Sequence, residues 1–184
     1  MKQNNKKQVG FSIIELIVAI AIIGILTSVT VLGWRERDKG LALGRSVHQL
    51  SQDIRKVQEL TMRAEDFQGT VSRGGFGIQL TSGTSSYILF ADCNGDRSFD
   101  ATGTAESCLL ATDINPFPEQ LEIRELEEGV IISIFPSPTT ITFIPPDPAV
   151  SINNFTATSI TITLGINGLT RSIIVNDAGL IAIE

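Results

Sequence analysis

The sequence predicts an α+β protein: a long N-terminal transmembrane and stalk helix packed on a C-terminal, mainly antiparallel β-sheet head. Three observations carry that expectation. From Leu16 to Trp34, nineteen residues pass without a charge, about the length that crosses the hydrocarbon core of a bilayer as a helix. Helical periodicity then continues, with Leu43, Val47, Leu50, Ile54, Val57, Thr61 and Ala64 recurring at alternating steps of four and three. From Gly74 onward the pattern turns to short β-rich runs divided by Gly, Pro, Asn and Asp.

Taken in order, residues 1–10 form a polar leader, with Lys2, Lys6 and Lys7 and no acid. Residues 11–34 are the expected transmembrane part of the helix, and 35–66 its amphipathic part. The helix is expected from Phe11 to about Glu65, roughly 80 Å long if unbroken. Gly33, Gly40 and Gly44 are weak points where a bend or local melting is expected. Residues 67–184 form the β-rich head, with strands expected at Phe76–Leu80, Tyr87–Ala91, Val130–Phe135, Thr139–Ile144, Ser159–Leu164, Arg171–Asn176 and Leu180–Ile183. Gly165–Thr170, containing Asn167-Gly168, reads as a hairpin turn, and Asn176-Asp177-Ala178-Gly179 as another. Pro145-Pro146-Asp147-Pro148 breaks any strand and marks a surface loop. The strands suit a largely antiparallel sheet with one face on the helix.

Composition bounds the function. A chain of 184 residues allows one domain with a modest core. The formal net charge is −6, and loss of the three leader lysines would make it −6 − 3 = −9. An acidic exterior argues against general nucleic-acid binding, which needs basic stripes on phosphate.

One acid, Glu15, lies just inside the apolar segment, five residues past Gly10. A carboxylate in an apolar helix is costly without a partner, which makes it a functional candidate. The bland reading is a carboxylate at the membrane boundary, snorkelling or protonated. A secretory signal would be cut after its apolar region; here the Gly10–Phe11 junction lies before it. This order, with Gln8-Val9-Gly10-Phe11-Ser12-Ile13-Ile14-Glu15-Leu16 and the apolar run behind it, resembles the N-terminus of type IV pilins and pseudopilins. The resemblance implies cleavage after Gly10 by prepilin peptidase and N-methylation of Phe11. It also implies an ion pair between Glu15 and the amine of a neighbouring subunit's Phe11.

The head is similar to the FimT-like and type II secretion H-type minor pseudopilins. The points of likeness are Tyr87–Asp92 running into an acidic turn and the closing Ile173–Ile181. Cys93 and Cys108 flank that turn, a departure from the simplest form of the pattern. Outside the cytoplasm they would form one disulfide, closing about fifteen residues for roughly 3 kcal/mol in the chain-entropy model. Two reduced thiols or a two-ligand metal site are the alternatives, and zinc is disfavoured with one distant histidine.

The turn itself places oxygen side chains at relative positions one, three, five and nine: Asp92, Asn94, Asp96 and Asp100. Calcium loops use that spacing, but the glycine falls at position four rather than six, and position twelve is Gly103. The competing reading is a plain hairpin tip, since Asp, Asn and Gly are ordinary turn formers. His48, the one histidine, sits on the helix among polar neighbours. Glu122, Glu125, Glu127 and Glu128 form a solvated cluster rather than a catalytic pair. Gly74-Gly75-Phe76-Gly77 lacks the context of a phosphate loop and serves to release the chain from the helix into the first strand. No cofactor is expected apart from calcium, and no catalytic set emerges.

The expected role is a prepilin-like structural subunit of a type IV pilus or type II secretion pseudopilus. Before assembly it would be a single-pass protein of the cytoplasmic membrane with its head outside. Its partners would be prepilin peptidase, other pilin subunits through the N-terminal helix, an inner-membrane assembly platform and membrane lipid. The alternative is a monomeric membrane-anchored binding domain, such as an adhesin or DNA-uptake receptor.

Overall fold

The structure, a computed structural model, describes residues 12–67, 69–101, 119–145, 149–153 and 158–184, with the side chains of 29–36 and 70 outside the description. The chain divides into two compact units, Met1–Lys39 and Gly40–Glu184. Helix α1 runs from Ile13 to Met62. Helical structure passes through Gly33, Gly40 and Gly44, so the local melting expected there does not occur. Ala64, counted on the stripe, lies beyond the helix with φ 49°.

In the first unit Ser12 precedes the helix and its carbonyl accepts the Leu16 amide at 3.2 Å. Every described side chain from Ser12 to Ser28 is exposed, because an apolar run without an amphipathic face has nothing of its own unit to cover it. Among the described residues no helix is long and apolar enough to cross a membrane. The expected transmembrane part counted to Trp34, whereas side chains are described only to Ser28.

The second unit begins with the amphipathic half of α1. Leu43, Val47, Leu50, Ile54, Val57 and Thr61 are all buried, as their spacing requires. The strands that follow are β1 (Asp66–Phe67), β2 (Thr70–Val71), β3 (Gly75–Leu80), β4 (Ser86–Asp92), β5 (Gln120–Glu125), β6 (Ile131–Ser133), β7 (Thr139–Ile144), β8 (Ala149–Ile152), β9 (Ser159–Ile166), β10 (Leu169–Asn176) and β11 (Ile181–Ile183). They build two larger sheets in place of the one expected, a five-stranded sheet β5-β4-β3-β7-β8 and a four-stranded sheet β11-β10-β9-β6. Every pair is antiparallel. The small ribbon β1–β2 stands between helix and β3, so Gly74–Gly77 does not release the helix directly into the first strand.

A single hydrophobic cluster joins the helix stripe to both sheets. It takes Phe76, Ile78 and Leu80 from β3, Tyr87 and Leu89 from β4, Ile141 and Phe143 from β7, and Ile162, Leu164, Ile173 and Val175 from β9 and β10. The alternation on β9 follows its eight-residue pairing with β10, closed by Asn167 (φ 49°) and Gly168 (φ 86°). Both turn residues have positive φ, the geometry of a two-residue primed turn. The second expected turn is also present, with the Gly179 amide bonded to the Asn176 carbonyl at 3.0 Å.

Candidate functional site

Two places carry the polar chemistry that the sequence singles out, the start of α1 and the turn after β4. At the first, Glu15 lies in the first helical turn and is exposed. An acid there complements the positive end of the helix dipole. Gly10 and Phe11, the expected processing residues, lie outside the described residues.

The turn after β4 is built on a buried carboxylate. Asp92 is fully buried; its Oδ1 accepts the Gly95 amide at 2.7 Å and its Oδ2 the Arg97 amide at 2.9 Å. The next oxygens repeat the device one step on. Asn94 Oδ1 accepts the Asp96 amide at 2.9 Å, and Asp96 Oδ1 the Ser98 amide at 2.7 Å. Arg97 takes the left-handed conformation (φ 66°) at position six, where the sequence has no glycine. Asn94 Nδ2 donates to Asp100 Oδ2 at 3.1 Å and closes the turn. Space for Asp92 comes from Gly74, where a Cβ would lie 1.9 Å from Asp92 Oδ2.

Glu119, absent from the sequence reading, completes the arrangement. Fully buried, it receives the Cys93 amide on Oε1 at 3.0 Å and the Asp100 amide on Oε2 at 3.1 Å. One carboxylate therefore ties both ends of the turn. Burial pushes its pKa up to about 7 against the pull of those two amides, with the Asp92 and Asp100 charges adding to the rise. Burial also raises Asp92, opposed by the amides of Gly95 and Arg97.

The turn lies over the outer face of the five-stranded sheet. The Phe99 ring packs at 5.6 Å, tilted by 59°, on Phe90, and the Arg97 carbonyl accepts Thr142 Oγ1 at 3.5 Å. Phe90 in turn lies over Gly77, where a Cβ would stand 2.4 Å from its ring.

Among the described residues no group of three or more His, Cys, Asp or Glu could hold a metal ion. Cys93, the residue after β4, is buried; Cys108 lies outside the described residues, as do Gly103 and Pro146–Pro148. His48 is exposed on α1. The acidic cluster divides: Glu122 pairs with Lys56 at 3.5 Å and Arg124 at 3.2 Å, Glu127 pairs with Arg45 at 3.8 Å, and Glu125 and Glu128 are exposed.

A third polar cluster, not anticipated, fixes helix to sheet. Tyr87 donates its hydroxyl to Asp53 Oδ2 at 2.7 Å, and Arg124 Nε lies 3.5 Å from the same oxygen. Burial, and then the Asp53 bond, raise the tyrosine pKa.

Residues 5–31 match the family of the prokaryotic N-terminal methylation motif. No curated protein and no solved structure gives a significant match to the chain.

Proposed function

We propose that this member of the type IV pilin and pseudopilin family is a minor filament subunit, of a type IV pilus or a type II secretion pseudopilus. The observation that carries the reading is the methylation motif at residues 5–31. That motif supports a prepilin-like subunit processed by prepilin peptidase.

In this reading the peptidase cuts after Gly10 and Phe11 is methylated. Residues 11–34 hold the subunit in the cytoplasmic membrane with the head outside, served by an assembly platform. The exposed apolar residues support this, among them Ile13 (79 %) and Leu26 (62 %). Apolar surface of that extent requires external cover, first lipid and then the helices of neighbouring subunits. Glu15 pairs with the freed amine of a neighbour's Phe11, neutralising both charges and setting the axial stagger. The FimT-like or H-type branch rests on the strand Tyr87–Asp92 entering the acidic turn. Cys93 and Cys108 close that turn as a disulfide in an oxidising compartment.

The test is Glu15→Leu, followed with a Gly10→Leu control. Glu15→Leu is expected to be cleaved to a methylated Phe11 and to stay in the membrane. It should be poorly recovered with sheared filaments. Gly10→Leu is expected to remain full length. Assembly of Glu15→Leu at the wild-type level would overturn the ion-pair mechanism. A wild-type chain that is processed but never recovered in filaments would favour the monomeric binding domain.

A further inference from the structure

The head contains a groove of about 600 Å³ between the start of its helical segment and β10. Leu41, Gly44, Arg45, His48 and Gln52 line it from α1, and Arg171 from β10. Leu41, Arg45, His48 and Gln52 follow one another at steps of four, three and four, which aligns them along one helix face. Leu41 is 56 % exposed despite its size, and Arg45, His48, Gln52 and Arg171 are exposed as well. A Cβ at Gly44 would meet nothing within 4 Å, so the groove floor is open rather than packed.

The charge of this groove is opposite to that of the chain. The whole chain is −6, yet no acid lines the groove, and Lys39 to Gln52 contains none. Arg45 does reach Glu127 at 3.8 Å, with the Arg45 side chain 66 % exposed and that of Glu127 41 %. Such a pair is weak and leaves most guanidinium donors available. Along the stripe the apolar residue comes first and the cations follow. A matching ligand therefore has an apolar portion beside Leu41 and an anionic portion that accepts hydrogen bonds from guanidinium groups. Arginine forks fit phosphate oxygens.

Chain connectivity selects the source of that phosphate. Gly40 follows Trp34 by six residues, a reach of at most roughly 20 Å for fully extended backbone. If residues 11–34 sit in a bilayer, as proposed above, Gly40, which lines the groove, is tethered within that reach of its surface. The geometry points to a binding site for the headgroup of an anionic phospholipid, occupied while the subunit is held in the membrane. Arg45 and Arg171 bind the phosphate, His48 and Gln52 extend the donor set, and Leu41 meets the start of the acyl region. The inference rests on the membrane-held reading of the N-terminal segment.

His48 is the single histidine of the chain, so its ring resonances report the groove without assignment. The full chain in zwitterionic micelles is titrated with short-chain phosphatidylglycerol, short-chain phosphatidylcholine and inorganic phosphate. Phosphatidylglycerol should give a saturable shift of His48, phosphatidylcholine none, and inorganic phosphate a response at least ten-fold weaker. Arg45→Gln and Arg171→Gln should each weaken phosphatidylglycerol binding about five-fold, the interfacial effect of one cation, while Arg63→Gln leaves it unchanged. Unaltered melting of the variants keeps the comparison clean.

Equal responses to both lipids, or wild-type binding in both groove variants, would overturn the site. Phosphate binding as tight as the lipid's would make it a free-anion site. A His48 shift that grows with protein concentration in the absence of lipid would assign the groove to another copy of the chain. Flotation of the full chain with phosphatidylcholine vesicles is read separately. If the chain floats without a His48 response, only the groove proposal falls; if it does not float, the anchoring reading falls.

Discussion

The two halves of α1 use similar apolar residues and meet opposite fates. In the first, Ile17 (57 %) and Ile20 (62 %) are open to the surroundings; in the second, Leu50 and Ile54 are fully buried. Hydrophobicity alone does not decide burial. The second half interrupts its apolar residues with Arg45, Gln49, Gln52 and Lys56, leaving one stripe that a sheet can cover. The first half is apolar on all sides, and a single head domain could cover only one of them. One half of the helix stabilises this fold, and the other leaves its apolar side chains exposed.

The sharpest way to break that contrast is to truncate one residue in each half. Leu50→Ala should cost the head about 3–5 kcal/mol, the usual range for a buried leucine. Ile20→Ala should leave head stability within about 0.5 kcal/mol. Urea melts of the full chain in mild detergent, read by a probe in the head, give both values. Equal losses would show that the first half is also part of the folded core.

The next effect concerns Cys93 and Cys108. A Cys93→Ala, Cys108→Ala double variant should lose roughly 2–4 kcal/mol of head stability with membrane insertion unchanged. The oxidised protein should take up no alkylating reagent before reduction.

A smaller effect is expected from Glu119. Its folded pKa, about 7, lies above the ordinary value of 4.5. Between these pH values the native state binds more protons than the unfolded state, so stability is greatest below about pH 4.5. It falls as pH rises to about 7, by on the order of 3 kcal/mol, and levels off beyond. Glu119→Gln should flatten this slope in melts recorded from pH 4 to 8, while lowering stability at the acid end through a mismatched amide. An unchanged slope would place the titration elsewhere.

The smallest expected effect is that of calcium. The turn oxygens of Asp92, Asn94 and Asp96 already accept backbone amides, and the head should melt at the same temperature with calcium or chelator. A rise with calcium that disappears in Asp96→Ala would show instead that the turn rearranges around a cation.

Much of the fold was legible because it follows periodicity. The helix stripe, the strand Thr139–Ile144 and the Asn167-Gly168 hairpin each obey a local rule, and local rules are visible in sequence. The misses have physical reasons. In β5, Leu121 and Ile123 alternate with Glu122, Arg124 and Glu125, and this charged edge strand reads in sequence as a solvated acidic cluster. The strand β8 follows a proline-rich break that suppresses any strand signal. Asp92 was singled out by its spacing, but its burial depends on Gly74, eighteen residues earlier. Glu119 closes the turn from nineteen residues beyond Asp100, and nothing local distinguishes it from any other surface acid. Two sheets replaced one because strand order is set by packing, which alternation does not encode.

The position of the β9–β10 hairpin in the chain also sets a clock. Residues 159–176 supply buried partners for the cluster containing Leu50 and Ile54, yet they are synthesised about a hundred residues after the helix. At bacterial-to-eukaryotic elongation rates of 5–20 residues per second, that interval is roughly 5–20 s. The hairpin itself closes in microseconds once both strands exist. For those seconds the helix stripe and the five-stranded sheet lack the cover of the four-stranded one. Slowing translation ahead of residue 159 should therefore increase aggregation without changing the stability of the finished head.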